Sequence, residues 1–141
     1  MTTPTLDFEK KLWRRGFRRV CGVDEVGRGA LAGVVTPAAV VIPRILLRRK
    51  SFRELLSSVR DSKQLSPNIR ESIFLRLKDF PEVEWRVSHV APSVIDRINI
   101  KRAAERAMIR SLNKFNEFPD YTVFDGRTFF AKSLTKAKAS R

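Results

Sequence analysis

The sequence predicts an α/β protein, a mixed β-sheet flanked by helices, and three observations carry that reading. First, two β-branched runs at 19–26 and 33–43 are joined by GRGALAG, where three glycines in seven residues permit a tight turn and a hairpin. Second, Ile100, Ala103, Ala104, Ala107, Met108, Ser111, Leu112 and Phe115 recur at i, i+3, i+4 spacing, a complete apolar stripe for one helix. Third, YTVF at 121–124 is a short apolar run ending at Asp125-Gly126, the pattern of a central, buried strand. Strand, strand, strand, helix, strand is an order that favours a mixed sheet over a bundle or a sandwich.

Each element follows in turn. Residues 1–17 are polar and basic and read as an N-terminal arm or short helix, with 18–141 as one domain. Pro37 lies inside the second run and has no N–H for a ladder, which implies a bulge or an unpaired position. Residues 44–63 carry seven Lys/Arg against Glu54 and Asp61, a basic connection that is partly helical at best. Ser66-Pro67 is a helix start, a hydroxyl cap followed by proline at the first helical position. Ile69, Ile73, Leu77 and Phe80 then recur at helical spacing until Pro81. EWRVSHV at 84–90 alternates as a third strand, a short helix spans 93–98, and Asn99 is placed to cap the long helix after it.

Composition narrows the function. Of 141 residues, 43% are apolar and 31% charged, which excludes collagen-like, low-complexity and disordered classes. No run of 18 apolar residues exists, and the first twenty residues lack the apolar core of a secretory signal. The single cysteine, Cys21, excludes a disulfide framework and a cysteine-cluster zinc site, and fits a reducing cytoplasm. Lys and Arg total 29 against 15 Asp and Glu, so the chain carries +14. A polyanion is the natural partner of such a surface, because neutralising phosphates releases condensed counterions.

The acids stand out against that background. Asp24 and Glu25 are adjacent in an otherwise apolar strand, and Asp125 closes another. Three carboxylates at strand ends suit a hard divalent cation, Mg²⁺ or Mn²⁺, poised on a phosphodiester. Each residue taken singly also fits a plainer role: a salt-bridged surface pair for Asp24-Glu25, a turn residue for Asp125. Gly27-Arg28-Gly29 would let main-chain groups approach a sugar-phosphate while a guanidinium grips it, or would form a plain turn. Ser62 and Lys63 suit a backbone phosphate or a solvated loop. His89 is the only histidine, which argues for a structural role and against Ser-His or Cys-His chemistry. Trp13, Phe17, Phe129 and Phe130 could stack on bases, although aromatics at this frequency belong more often to a core.

GVDEVGRGALAG at 22–33, DSKQLS at 61–66, IDRINI at 95–100 and DYTVFDG at 120–126 together resemble ribonuclease HII, the type 2 ribonuclease H family, over residues 18–126. The resemblance implies a ribonuclease H-like fold and metal-dependent cleavage of RNA in RNA–DNA hybrids, with incision 5′ to single ribonucleotides in duplex DNA. The implied products carry 3′-hydroxyl and 5′-phosphate ends. It implies Mg²⁺ or Mn²⁺ held by Asp24, Glu25 and Asp125, three of the family's four carboxylates. Gly27, Arg28 and Gly29 match the loop that senses the 2′-hydroxyl, and Ser62 and Lys63 a segment near the substrate backbone. A monomer acting in the cytoplasm, with no membrane partner, is expected. Three departures are visible: Ala30 replaces the family's usual proline, Pro37 falls inside the second strand, and no acid follows Asp125. The last leads us to expect a shortened C-terminal part, and with it slow cleavage or binding of hybrid alone.

Overall fold

The computed structural model describes residues 5–27 and 33–124. The chain divides into two compact units, one made of the residues up to Val20 with Ile42–Glu84, the other of Cys21–Val41 with the residues from Trp85 onward.

The first unit is helical. α1 (Asp7–Arg14) buries Leu12 and Trp13, so this part of the N-terminal segment is an anchored helix. Lys10 donates to Asp7 at 3.1 Å and, with Thr5, holds the Asp7 carboxyl below its usual range. A 3-10 turn (Arg44–Arg48) and α2 (Lys50–Ser58) follow, where a basic connection, partly helical at best, was expected. The reason lies in Leu46, Phe52 and Leu55, each at most 1% exposed. Phe52 and Leu55 are one helical turn apart, and the surrounding arginines hide that stripe in the sequence. Phe52 meets Phe80 edge-to-face with ring centroids 4.9 Å apart. Arg53 donates to the carbonyls of Leu47 and Arg48 at 2.9 and 3.0 Å, closing the end of the 3-10 turn. α3 (Pro67–Leu77) starts as expected, with Ser66 Oγ accepting from the Ile69 N–H at 3.4 Å. It buries none of its residues, and Ile69 is 48% exposed. The Ile69, Ile73, Leu77 spacing makes the helix without covering it.

The second unit holds the sheet, in the order β3-β2-β1-β4. β1 (Val20–Val26) and β2 (Thr36–Val41) pair antiparallel in continuous register from Cys21↔Val41 to Val26↔Thr36. There is no bulge at Pro37. Its carbonyl accepts from the Ser88 N–H at 3.1 Å. Because a strand residue's N and O point the same way, the missing donor faces away from β1. Val35 and Val90 exchange two hydrogen bonds just beyond, and β3 (Glu84–Val87) ends before that bridge.

α4 (Pro92–Ile98) leads into α5 (Ile100–Asn113) through Asn99. Asn99 sits at φ +64° with its Oδ1 accepting from the Arg102 N–H at 3.1 Å. The stripe read from sequence is the buried face of α5: Met108, Leu112 and Phe115 pack on Cys21, Val23, Ala39 and Val41. Ala103 and Ala107 pack on Val90, with Val94, Ile95 and Ile98 against them. Each large apolar side chain so buried contributes roughly 1.5–3 kcal/mol, while the alanines let the helix approach closely. β4 (Tyr121–Phe124) corrects one expectation. Among the described residues it stands at the end of the strand order, and its residues are half-buried where a buried strand was expected. A four-residue apolar run does not distinguish a flanked strand from one covered on a single edge.

Candidate active site

β1 positions the first two acids. Along VCGVDEV the side chains alternate, Cys21 and Val23 into the core, Gly22 and Asp24 outward, as the pleat demands. Asp24 is exposed and Glu25 half-buried, on opposite faces of the strand. Asp24 does not point freely into solvent: its Oδ1 accepts the Glu25 backbone N–H at 2.7 Å, which turns the carboxylate along the strand toward its neighbour. The two carboxylates thus lie on opposite faces of β1, within three residues of Gly27.

Gly27 is fixed by geometry. Its φ is +101°, and a Cβ there would collide with the Val34 carbonyl. Only glycine allows the chain leaving β1 to pass this close to the chain returning into β2. Arg28, Gly29 and Asp125 lie outside the described residues, as do Phe129 and Phe130. Among the described residues no group of three or more His, Cys, Asp or Glu is placed to hold a metal. The two acids that are described, Asp24 and Glu25, are hard-oxygen donors, the type that fits Mg²⁺ or Mn²⁺, and Asp125 is the expected third.

Ser62 and Lys63 belong to the first unit, in an exposed 3-10 turn (Ser62–Gln64). Asp61 caps that turn, its Oδ1 accepting the Lys63 N–H at 2.9 Å. Arg70, one turn into α3, donates through Nη1 to the carbonyls of Ser62 at 3.1 Å and Leu65 at 2.6 Å. One guanidinium therefore ties both ends of the turn. Arg70 has no signature in the sequence, being an arginine inside a helix; its eight-residue spacing from Ser62 is the signal available. His89 is occupied structurally, with Nδ1 3.0 Å from Thr36 Oγ1. Trp13 is buried rather than presented for stacking.

A family model described as Ribonuclease HII matches residues 21–141. The ribonuclease HII of Chlorobium phaeovibrioides is 42% identical over 123 residues, 87% of this chain and 58% of that protein. A crystal structure of the ribonuclease H2 from Pyrococcus horikoshii OT3 superposes with a TM-score of 0.65 at 29% identity, covering 84% of this chain and 56% of the other. Bst-RNase HIII in complex with Mn²⁺ shares the fold at a TM-score of 0.53 and 19% identity, covering 84% of this chain and 40% of that one. The chain spans about half the length of the curated relatives it matches.

Proposed function

This chain belongs to the ribonuclease HII family, and from that premise we propose that it is a metal-dependent endoribonuclease. Its substrates are RNA–DNA hybrids and duplex DNA carrying embedded ribonucleotides, cut 5′ to the ribonucleotide to leave 3′-hydroxyl and 5′-phosphate ends. The observation that carries this is the family match across residues that include Asp24 and Glu25 near the C-terminal end of β1, one residue, Val26, short of the constrained Gly27.

Asp24, Glu25 and Asp125 would hold the cation. Bound there, Mg²⁺ or Mn²⁺ supplies Lewis acidity, lowering the pKa of water and offsetting charge on the phosphate. The chain's own groups do the rest. Gly27, lacking a side chain, lets backbone come within reach of the sugar, and the Arg28 guanidinium between two glycines reads the ribose at the junction. The Ser62 hydroxyl and Lys63 ammonium bind backbone phosphate; the Asp61 cap and Arg70 hold them in one conformation. A single 18–141 domain acting as a cytoplasmic monomer completes the reading. No helix among the described residues is long and apolar enough to cross a membrane.

The test is a duplex with one ribonucleotide, incubated with Mn²⁺ and the full chain, its Asp24→Asn variant or its Asp125→Asn variant. Cleavage 5′ to the ribonucleotide that stops on chelation and drops at least about a hundredfold in either variant is the expected result. Cleavage insensitive to both substitutions would overturn the site; tight binding without cleavage would assign a hybrid-binding role instead.

A further inference from the structure

Away from the acids, the first unit has a cleft of about 310 Å³ lined by Lys10, Trp13, Arg14, Arg44 and Leu47. Three cations face one small concavity, and no acid lines it. Lys10 is committed to Asp7. The side chains of Arg14 and Arg44 make no ion pair or hydrogen bond among the described residues, and both are exposed. The cation-favouring C-terminal end of α1 accounts for Arg14. It does not account for Arg44, which starts a different element and faces the same cleft. Trp13 forms the floor at 6% exposure, and its Nε1–H, itself buried, finds no hydrogen-bond partner among the described residues. A buried donor left without an acceptor costs stability, so a site that supplies one is favoured.

We infer that this cleft is a second nucleic-acid contact, taking a backbone phosphate of the bound duplex between Arg14 and Arg44. Guanidinium forks match phosphate oxygens bidentately, and two forks across one cleft, without partners among the described residues, suit a single phosphodiester. The volume is at the small end for a ligand pocket. Base stacking is ruled out by the burial of Trp13, because stacking needs an open ring face. The contact therefore reads neither base nor ribose, and it adds affinity without specificity. It rests on the nucleic-acid reading above but needs no divalent ion and no cleavage.

The test is fluorescence anisotropy in chelator, with the full chain and two labelled duplexes of equal length, an RNA–DNA hybrid and plain DNA, across a salt series from about 50 to 200 mM. Arg14→Ala/Arg44→Ala should weaken binding about tenfold or more, equally on both duplexes, and flatten the log–log salt slope by about one to two. Lys101→Ala/Arg106→Ala, which removes the same charge from exposed positions of α5, should change affinity less than about threefold. Trp13→Phe, which keeps the floor but loses the donor, should weaken binding slightly. Four outcomes overturn the proposal: no change in the arginine variant, an equal loss in the α5 control, a loss confined to the hybrid, or displacement of the duplex by millimolar adenosine 5′-monophosphate, which would make the cleft a mononucleotide site. Failure of the wild-type chain to bind either duplex would overturn the parent reading as well; intact binding with an unaffected arginine variant overturns this one alone.

Discussion

Gly27 and Gly22 are five residues apart in one strand-and-turn segment, yet they carry different burdens. At Gly27 a side chain would meet the Val34 carbonyl in a backbone conformation that L-residues avoid; at Gly22 nothing lies within 4 Å and φ is ordinary. Gly27→Ala should therefore destabilise the protein by about 2–4 kcal/mol, the sum of backbone strain and a clash that must push two segments apart. Gly22→Ala should be neutral or slightly stabilising, because alanine narrows the unfolded ensemble at no steric cost. Urea denaturation of both variants checks this, and equal losses would mean that the turn relaxes freely. At this scale the sequence was most legible where chemistry and composition conflict: two acids in an apolar strand, and glycines too dense for chance. It was blind to what a side chain does locally. Nothing in DE announces that Asp24 Oδ1 accepts the next residue's N–H.

Elements were legible where their apolar period was uninterrupted. α5 alternates alanines and large residues on one face, and the caps at Ser66 and Asn99 mark starts that the structure uses. α2 was obscured because its buried face is only Phe52 and Leu55, set among the polar and charged residues Lys50, Ser51, Arg53, Glu54 and Ser57. Phe52→Ala should accordingly cost about 3–5 kcal/mol, although it sits in what reads as a charged loop; thermal denaturation measures it. The Ser62–Gln64 turn makes a second case. Its conformation is held by groups outside it, Asp61 from one side and Arg70 from α3. If Ser62 and Lys63 bind substrate backbone, Arg70→Ala should raise KM for the hybrid about three- to tenfold with kcat little changed, since freeing the turn lowers the population of the binding geometry. Arg70→Lys should rescue in part, because both bonds leave the single Nη1 and an ammonium can also donate twice, although from a more flexible stem. A fall in kcat at constant KM would place the turn in the chemistry instead.

For the molecule as a whole, the proposed function draws affinity and discrimination from different residues. A net charge of +14 draws any nucleic acid, and that attraction weakens as salt rises because each neutralised phosphate releases counterion. It cannot tell a ribose from a deoxyribose. Discrimination requires a group that meets the 2′-hydroxyl, the feature that separates RNA from DNA at a given position. In the function proposed above Arg28, between Gly27 and Gly29, is that group. The two contributions separate in one experiment. Arg28→Ala should lower affinity for a duplex with a single ribonucleotide about tenfold, the equivalent of one hydrogen bond to a charged group, while affinity for the matching all-DNA duplex falls much less. The ratio between the two should then stay constant across a salt series, because the backbone contribution cancels in it. Equal losses on both duplexes, accompanied by a flatter salt slope, would show that Arg28 grips phosphate alone and that ribose sensing lies elsewhere in the chain.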